Sequence, residues 1–330
     1  ADFADHDDVG VLPEEGAQRA IGDVAKLGSA ENPFGPSPKA AEVVKAALRI
    51  DNYPDWTARA LREKVASKYG YTPDQVICGA GETEIMSWII RTFACPGDQV
   101  LMFVPAFPIY HIAAENEGRV PVFVGMGDDL DFKWSDYLAA IKDDVRIVFL
   151  TNPHSPTGRL IPEARIREVC KKASKQLVVL DEAYIHFSGT EGGMHLVKEF
   201  SNLIVLRTFS KVFGLAGLRV GFGVADTSII NPMMHLKPTW NMGNLQVSGA
   251  VAALDDDEHV KKTVSAIGEM RAYVLGELRK LNRFSVVGEW RSVDDLGTMR
   301  RHDAVAESMY AWIEHQGYVV DPTSAERATV

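Results

Sequence analysis

Short apolar runs alternate with segments of helical spacing through the middle of the chain. Seven such runs occur: Val76–Cys78, Val100–Val104, Val120–Val124, Val145–Leu150, Leu177–Leu180, Leu203–Leu206 and Val220–Val224. Helical spacing separates several of them, over residues 82–94, 107–117, 134–142 and 162–175. Continuous β-branched runs separated by helices indicate a mainly parallel sheet that is covered on both faces. The pattern predicts a three-layer α/β/α domain.

The regions that flank this pattern predict further helices. One helix begins after Ser37 and reaches Leu48, and a second runs from Trp56 to Tyr69. Residues 226–281 are mostly helical in pattern, including one long segment over 247–281. The acidic run 255–258 within that segment indicates a solvated bend.

The end of the chain predicts a second, smaller α/β domain. A strand follows residue 284, a helix covers 303–316 and an edge strand covers 318–320. Because 330 residues exceed the usual size of one hydrophobic core, we expect more than one domain. The predicted parts are an N-terminal arm with part of the small domain (1–45), a large domain (46–235) and a small C-terminal domain (236–330).

Charge and composition narrow the functional classes. The formal net charge is −10, with acidic residues spread along the chain, which argues against a nucleic-acid partner. No apolar run reaches the length of a membrane span. Three distant cysteines without a CxxC pair favour a reducing cytoplasm over a disulfide framework or zinc site. The chain begins at Ala1, with which a removed export signal is compatible, and its acidic start indicates a mobile arm rather than a metal site.

Polar residues with chemical potential follow the predicted strands. The four segments are Gly79–Thr83, Asn152–Gly158, Asp181–Tyr184 and Ser210–Arg219. In open parallel sheets, ligands bind beyond the carboxyl ends of the strands. We therefore expect one ligand site to be built from these four segments.

The segment after the strand at 203–206 combines a lysine with hydroxyls, glycines and an arginine. The hydroxyls of Thr208 and Ser210 and the guanidinium of Arg219 suit the oxygens of a phosphate. Lys211 then remains available as an amine nucleophile, for example toward an aldehyde. A solvated loop lysine is the alternative interpretation of this segment alone.

Two other segments add a phosphate turn and a buried acid. Backbone N–H groups of Gly81, Glu82 and Thr83 lie at a predicted helix start, where phosphates bind, although a tight turn would also explain the glycines. Asp181 ends an apolar strand, where a carboxylate is costly unless it meets a cation or donor. It suits a protonated ring nitrogen, whereas an N-capping role is the alternative. Tyr184, three residues later, suits a ring hydroxyl.

Together these groups describe a site for pyridoxal 5′-phosphate, with Tyr110 as a candidate for stacking on the ring and core packing as its alternative. The sequence also resembles the pyridoxal-phosphate aminotransferases of fold type I, in particular their histidinol-phosphate aminotransferase-like branch. The segments that carry the resemblance, in family order, are SAENPFGPSP, NYPD, the glycine turn before Glu82, NPHSPTG, DEAY and TFSKVFGLAGLRVGF.

The resemblance implies a role for each matched residue. Lys211 would form the Schiff base with the cofactor and move the substrate proton, and Asp181 would pair with the ring nitrogen. Tyr184, with Asn152 and Ser155, would approach the ring oxygen. The phosphate would be held by Glu82, Thr83, Thr208 or Ser210, and Arg219. Asn32 would lie near the substrate, Arg327 would grip its carboxylate, and Tyr53 would reach the partner subunit's cofactor in a homodimer with shared active sites.

Three features depart from the family pattern. Ser155 stands where an asparagine usually bonds the ring oxygen. Asp321 stands near a position where histidinol-phosphate enzymes often carry a phosphate-binding arginine, which argues against that substrate. Residues 288–303 lack the usual asparagine-bearing apolar strand, and the final helix is not found.

The leading hypothesis is an amino-acid aminotransferase that works in two half-reactions. An amino acid, with an aromatic or imidazole-like side chain suggested by Phe34, Trp56 and Phe107, would give its amine through Lys211 to a 2-oxo acid. Another pyridoxal-phosphate reaction on the same fold, such as decarboxylation, oxidation or β/γ-replacement, is the second hypothesis. A non-catalytic binding module is the third.

Overall fold

The computed structural model describes residues 30–46, 51–127, 130–279, 284–286 and 299–301. Residues 1–29 of the predicted N-terminal part, the helix over 303–316 and the edge strand over 318–320 lie outside the described residues. So do Asp321 and Arg327.

The described chain alternates strands and helices in the predicted order. Its helices are α1 (Pro38–Ala46), α2 (Arg59–Tyr69), α3 (Glu82–Phe93), α4 (Ile109–Asn116), α5 (Trp134–Ala140), α6 (Glu163–Lys172), α7 (Thr227–Leu236), α8 (Asn244–Ala253) and α9 (Asp257–Arg279). Its strands are β1 (Val76–Gly79), β2 (Gln99–Val104), β3 (Val120–Gly125), β4 (Val145–Thr151), β5 (Leu177–Asp181), β6 (Leu203–Thr208), β7 (Gly221–Ala225), β8 (Phe284–Val286) and β9 (Met299–Arg301).

The first seven strands form one sheet in the order β1-β7-β6-β5-β4-β2-β3. Strand β7 is antiparallel to both of its neighbours, and the other pairs are parallel. The predicted mainly parallel sheet is confirmed, and every predicted run forms a strand. Several strands continue past the apolar run into a polar residue, as β5 does into Asp181 and β6 into Thr208. The sheet itself therefore positions these polar side chains.

Hydrophobic side chains cover both faces of this sheet. Alternate residues of one strand enter different clusters, because successive side chains point to opposite faces. On β5, Val178 and Leu180 join the cluster that includes Leu61 of α2. Val179 joins the cluster that includes Ile89 of α3. This arrangement gives the three α/β/α layers that the sequence predicts.

The long helical segment predicted over 247–281 is interrupted at the acidic run, as the predicted bend requires, because α8 ends at Ala253 and α9 begins at Asp257. The predicted solvated bend is wrong for Asp256, which is 5% exposed. Its carboxylate accepts a 2.6 Å hydrogen bond from Ser37 Oγ and one of 3.3 Å from the His259 backbone N–H. Asp256 therefore caps the start of α9 and ties it to the residue before α1.

The described part of the C-terminal region contains one short pair of strands. Strand β9 pairs antiparallel with β8, so the weakly patterned stretch 288–303 contains a strand. The predicted domain boundaries stay a prediction, although Ala250 of α8 shares a hydrophobic cluster with Leu61 and Val65 of α2. Within the ranges described, no helix has both the length and the apolar character needed to cross a bilayer.

We expect Asp256→Ala to lower the free energy of unfolding by about 2 kcal/mol, because it removes a helix cap and leaves the buried Ser37 hydroxyl without its acceptor. Urea denaturation of the purified protein measures this change. Asp255→Ala is the matched control, since the neighbouring carboxylate is largely exposed and its ion pair with Lys64 is worth less than about 1 kcal/mol. Equal losses in the two variants would contradict the capping role.

Candidate active site

The candidate site lies at the carboxyl ends of β4, β5 and β6. The strand register places Thr151 beside Asp181, and Asp181 beside Leu206 two residues before the end of β6. Lys211 follows β6, and its Nζ lies 4.9 Å from the centre of the Tyr184 ring. Three of the predicted residues, Asp181, Tyr184 and Lys211, are thus brought together by neighbouring strands.

The surroundings of Lys211 favour its neutral amine. Burial lowers its pKa to about 8, while the nearby acidic side chains of Glu82, Asp181 and Glu31 oppose that change. An amine with this pKa is uncharged in a larger fraction of molecules near neutral pH than an ordinary lysine is. Lys211 therefore has the character of a nucleophile toward a carbonyl group.

A tight turn before α3 meets the guanidinium of Arg219. Gly81 precedes α3 with a φ of 86°, and a Cβ at this position would overlap the Arg219 side chain. At Gly221, which begins β7, a Cβ would overlap the backbone nitrogen of Glu82. Both glycines are required because the backbone start of α3, the first residue of β7 and an arginine share the same small volume.

Hydroxyl groups complete this cradle. Thr208 Oγ1 donates to Ser210 Oγ at 3.0 Å, and Arg219 Nη1 lies 3.4 Å from Ser210 Oγ. Helix α3 presents the free N–H groups of its first turn, including those of Glu82 and Thr83, beside the same guanidinium. Two hydroxyls, an arginine and a helix N-terminus form a donor set that fits a phosphate group. The predicted phosphate residues are therefore gathered in one place.

Asp181 is buried and surrounded by donors. Tyr110 Oη donates to its Oδ2 at 2.5 Å, and the Ala183 backbone N–H donates to its Oδ1 at 2.9 Å. Burial raises the pKa of Asp181, and the hydrogen bonds from Tyr110, Ala183 and Glu82 oppose that rise. A carboxylate fixed in this way suits a cationic ring nitrogen.

The packing of Tyr110 argues against its predicted stacking role. Its side chain is 1% exposed, and its ring stacks on Phe149 with centroids 4.5 Å apart. Its hydroxyl is held by Asp181 and by Thr151 at 2.9 Å. These contacts favour core packing, the alternative interpretation, and they hold the Tyr110 hydroxyl against Asp181, while stacking on a cofactor ring stays a prediction. Phe107 meets Tyr110 edge-on and is 38% exposed.

The turn after β4 holds the two residues expected near the ring oxygen. Asn152 is buried, and its Oδ1 accepts the Ile161 backbone N–H at 2.9 Å, so this oxygen holds the turn together. The Asn152 backbone N–H donates to Asp181 O at 2.8 Å. Ser155 is half-buried in the same turn. Their contacts with a cofactor stay a prediction.

A pocket opens beside Lys211. It is lined by Ala30, Glu31, Asn32, Pro33, Tyr184, Phe187, Lys211, Thr263 and Ile267. Asn32 Nδ2 donates to Val212 O at 2.9 Å and lies 3.4 Å from Thr263 Oγ1. Asn32 thus lines the same pocket as Lys211, and its contact with a substrate stays a prediction.

Sequence reasoning missed several residues of this pocket. Thr263 and Ile267 lie on α9, more than 50 residues after Lys211, and their helical spacing is ordinary for a packed face. Glu31 could have been found, because it adjoins Asn32 in the same proline-rich loop. That loop is fixed by the Ser37 backbone N–H, which donates to Phe213 O at 3.1 Å.

A buried ion pair behind Asp181 was also missed. Arg207 donates to Glu182 Oε2 through Nε at 3.0 Å and Nη2 at 2.7 Å, and both side chains are buried. The Gly193 backbone N–H donates to the other oxygen of Glu182. Since Glu182 follows Asp181 directly, this pair fixes the backbone that presents the catalytic carboxylate.

Tyr53 lies on the surface, where it is 79% exposed, and its ring centre is 4.7 Å from that of Trp240. Trp240 is itself 48% exposed and Trp56 is 50% exposed. Three exposed aromatic side chains near one another are more typical of a covered surface than of a solvated one.

Comparison with known proteins supports the same type of cofactor site as the geometry does. Residues 22–327 match the family model described as aminotransferase class I and II. Histidinol-phosphate aminotransferase 2 of Carboxydothermus hydrogenoformans is 36% identical over 282 residues, which cover 82% of this chain and 76% of that protein. A histidinol-phosphate aminotransferase of Akkermansia muciniphila is 38% identical over 269 residues, covering 79% and 74%.

A solved structure shares the fold. It is the histidinol-phosphate aminotransferase of Sinorhizobium meliloti in complex with pyridoxal 5′-phosphate, with a TM-score of 0.71, 26% identity, and coverage of 75% of this chain and 68% of that one. The chain described here has the donors that such a cofactor needs, since a lysine, a strand-end aspartate and a phosphate cradle lie together. The chain therefore belongs to the class I and II aminotransferases and is a pyridoxal-phosphate-dependent enzyme of that family.

Proposed function

We propose that this aminotransferase takes the amino group from a substrate with a flat ring, aromatic or imidazole-like, and gives it to a 2-oxo acid. The pocket beside Lys211 carries this proposal. Phe187 and Ile267 provide an apolar wall for a ring, while Thr263 and Asn32 provide polar groups at its edge. The names of the relatives at 36% and 38% identity make histidinol phosphate the specific candidate.

Asp181, Lys211 and the residues of the phosphate cradle each have one task in this proposal. The bound cofactor supplies an electrophilic carbon and an electron-withdrawing ring. Asp181 holds the proton at the ring nitrogen, and the cradle of Arg219, Ser210 and the α3 N-terminus binds the phosphate. Lys211 carries a proton at Nζ to and from the substrate carbon, as its lowered pKa permits.

The substrate phosphate is the point on which sequence and relatives differ. Asp321 would repel a phosphate, whereas the relatives are named for a phosphorylated amine. Arg327, the expected partner of a substrate carboxylate, lies outside the described residues. We therefore propose that the enzyme recognises the ring of its substrate. A comparison of histidinol phosphate with histidinol tests whether it also recognises the phosphate.

We also propose a homodimer with shared active sites and a cytoplasmic setting. The exposed aromatic rings of Tyr53, Trp56 and Trp240 support a second copy that covers them. Buried free thiols at Cys78 and Cys170 support a reducing compartment.

The ring proposal predicts an order among amino donors. With 2-oxoglutarate as acceptor, we expect histidinol phosphate, histidinol and phenylalanine each to exceed alanine in kcat/KM by about tenfold or more, because a ring buries apolar area against Phe187 and Ile267. A coupled glutamate assay measures these rates. The ratio of histidinol phosphate to histidinol reports the phosphate contribution. Preference for alanine over every ring-bearing donor would contradict the proposal.

The pKa of Lys211 predicts the pH dependence of cofactor capture. The amine reacts when neutral, and its pKa is about 8. We therefore expect the rate constant for binding of pyridoxal 5′-phosphate by the apoprotein to rise with pH and level off above about pH 9. Stopped-flow absorbance measures it, with N-acetyl-lysine amide as the ordinary-lysine reference. A rate that keeps rising with pH in parallel with the reference would show that Lys211 is unperturbed.

The shared-site proposal predicts complementation between two defective subunits. Tyr53→Ala leaves Lys211 in place, and Lys211→Ala leaves Tyr53 in place. Each homodimer should be impaired, whereas a mixed dimer contains one site with Lys211 from one subunit and Tyr53 from the other. Refolding an equimolar mixture should raise activity above both parents, to about one quarter of the wild-type value by random pairing. Activity no higher than the mean of the two parents would argue against sharing.

A further inference from the structure

The side chain of Glu82 has no task in the function proposed above. Its backbone belongs to the phosphate cradle, but its carboxyl group lies on the first turn of α3, where only 7% of the residue is exposed. The Asp181 carboxyl group is among the neighbours that raise the pKa of the Glu82 carboxyl group, through its charge and a side-chain hydrogen bond. Two buried acids in contact require an explanation, because two adjacent negative charges are costly away from water.

The donors around the two acids are unequally divided. Asp181 accepts hydrogen bonds from Tyr110 Oη and from the Ala183 backbone N–H. By contrast, Glu82 Oε1 is buried and accepts no hydrogen bond from the residues that the structure describes. A buried carboxylate oxygen without a donor is unfavourable, whereas a protonated carboxyl group can itself donate. The geometry therefore places the negative charge on Asp181 and the proton on Glu82.

Several charged or titratable groups face the pair. Glu182, Tyr110 and Lys211 interact with one or both acids directly. Arg219 lies against Gly81, the residue before Glu82, and Glu31 interacts with Lys211.

The electrostatic effects of these groups agree with the geometry. Burial and then the charge of Asp181 raise the pKa of Glu82 well above its usual range, while Lys211 opposes this. For Asp181, burial raises the pKa, but its donors, Glu82 among them, oppose the rise. Both effects keep the shared proton on Glu82 at neutral pH.

We propose that Glu82 is a positioning residue: a neutral carboxylic acid that donates a hydrogen bond to Asp181 and keeps it ionised for the cofactor's ring nitrogen. Three donors then hold Asp181, and the site presents one negative charge to the ring instead of two. The part of this inference that concerns the ring rests on the proposed function of Asp181. The location of the proton does not, because it follows from the residues alone.

Infrared difference spectroscopy tests the proton directly. The wild-type minus Glu82→Gln spectrum at neutral pH should contain the carbonyl stretch of a protonated carboxylic acid, in the apoprotein and in the cofactor-loaded protein. Glu115→Gln is the matched control, because Glu115 is exposed and its difference spectrum should contain only carboxylate bands. A Glu82 difference spectrum with only carboxylate bands would overturn the proposal.

Cofactor binding tests whether the donated hydrogen bond matters. Gln has a neutral donor, and Ala has none. We expect Glu82→Ala to weaken pyridoxal 5′-phosphate binding about tenfold, as the loss of one buried hydrogen bond implies, and Glu82→Gln to restore most of the affinity. Equal weakening in both variants would overturn the positioning role. Absence of cofactor binding by the wild type would instead refute the proposed function, and the infrared result would stand independently.

Discussion

A carboxylate buried at the end of β5 constrains the rest of the site. Asp181 is charged in a place from which water is largely excluded, so it must be surrounded by donors or by a cation. The parallel strand register brings Thr151 beside it, and Tyr110 from α4 supplies a hydroxyl to both. The arrangement of α3, α4 and the sheet around Asp181 therefore gives this carboxylate the hydrogen-bond donors it needs, in addition to packing the core.

The residue next to Asp181 is also held by buried hydrogen bonds. Glu182, the next residue, is held by Arg207 of β6 and by the Gly193 backbone N–H. A buried ion pair of this kind is weak evidence for net stability, because desolvation offsets much of the attraction. Its contribution here is geometric, because the hydrogen bonds of Glu182 hold the backbone at residues 181 and 182 in place. A ring nitrogen can be recognised by a single carboxylate only if that carboxylate does not move.

Local pattern made most of the fold and part of the site predictable. The seven β-branched runs and the intervening helical segments determine the sheet and its layers, because burial on both faces demands continuous apolar residues. The lysine, aspartate and arginine were found because each lies within a short polar segment after a strand. By contrast, the orientation of Tyr110 depends on the packing of α4 against Phe149, and the burial of Asp256 depends on Ser37, 219 residues away. Contacts between distant segments leave no periodic signal, and Thr263 was missed for the same reason.

The hydrogen bond between Ser37 and Asp256 has a consequence beyond stability. Asp256 caps the start of α9, and about two and three turns further along the same helix lie Thr263 and Ile267, which form part of the pocket wall. Ser37 in turn is joined through its backbone to Phe213, two residues after Lys211. The position of this pocket wall relative to Lys211 therefore depends on a hydrogen bond between residues outside the pocket lining. In such an enzyme, substitutions at the hydrogen bond that anchors α9 can change substrate preference while every residue in the pocket stays the same.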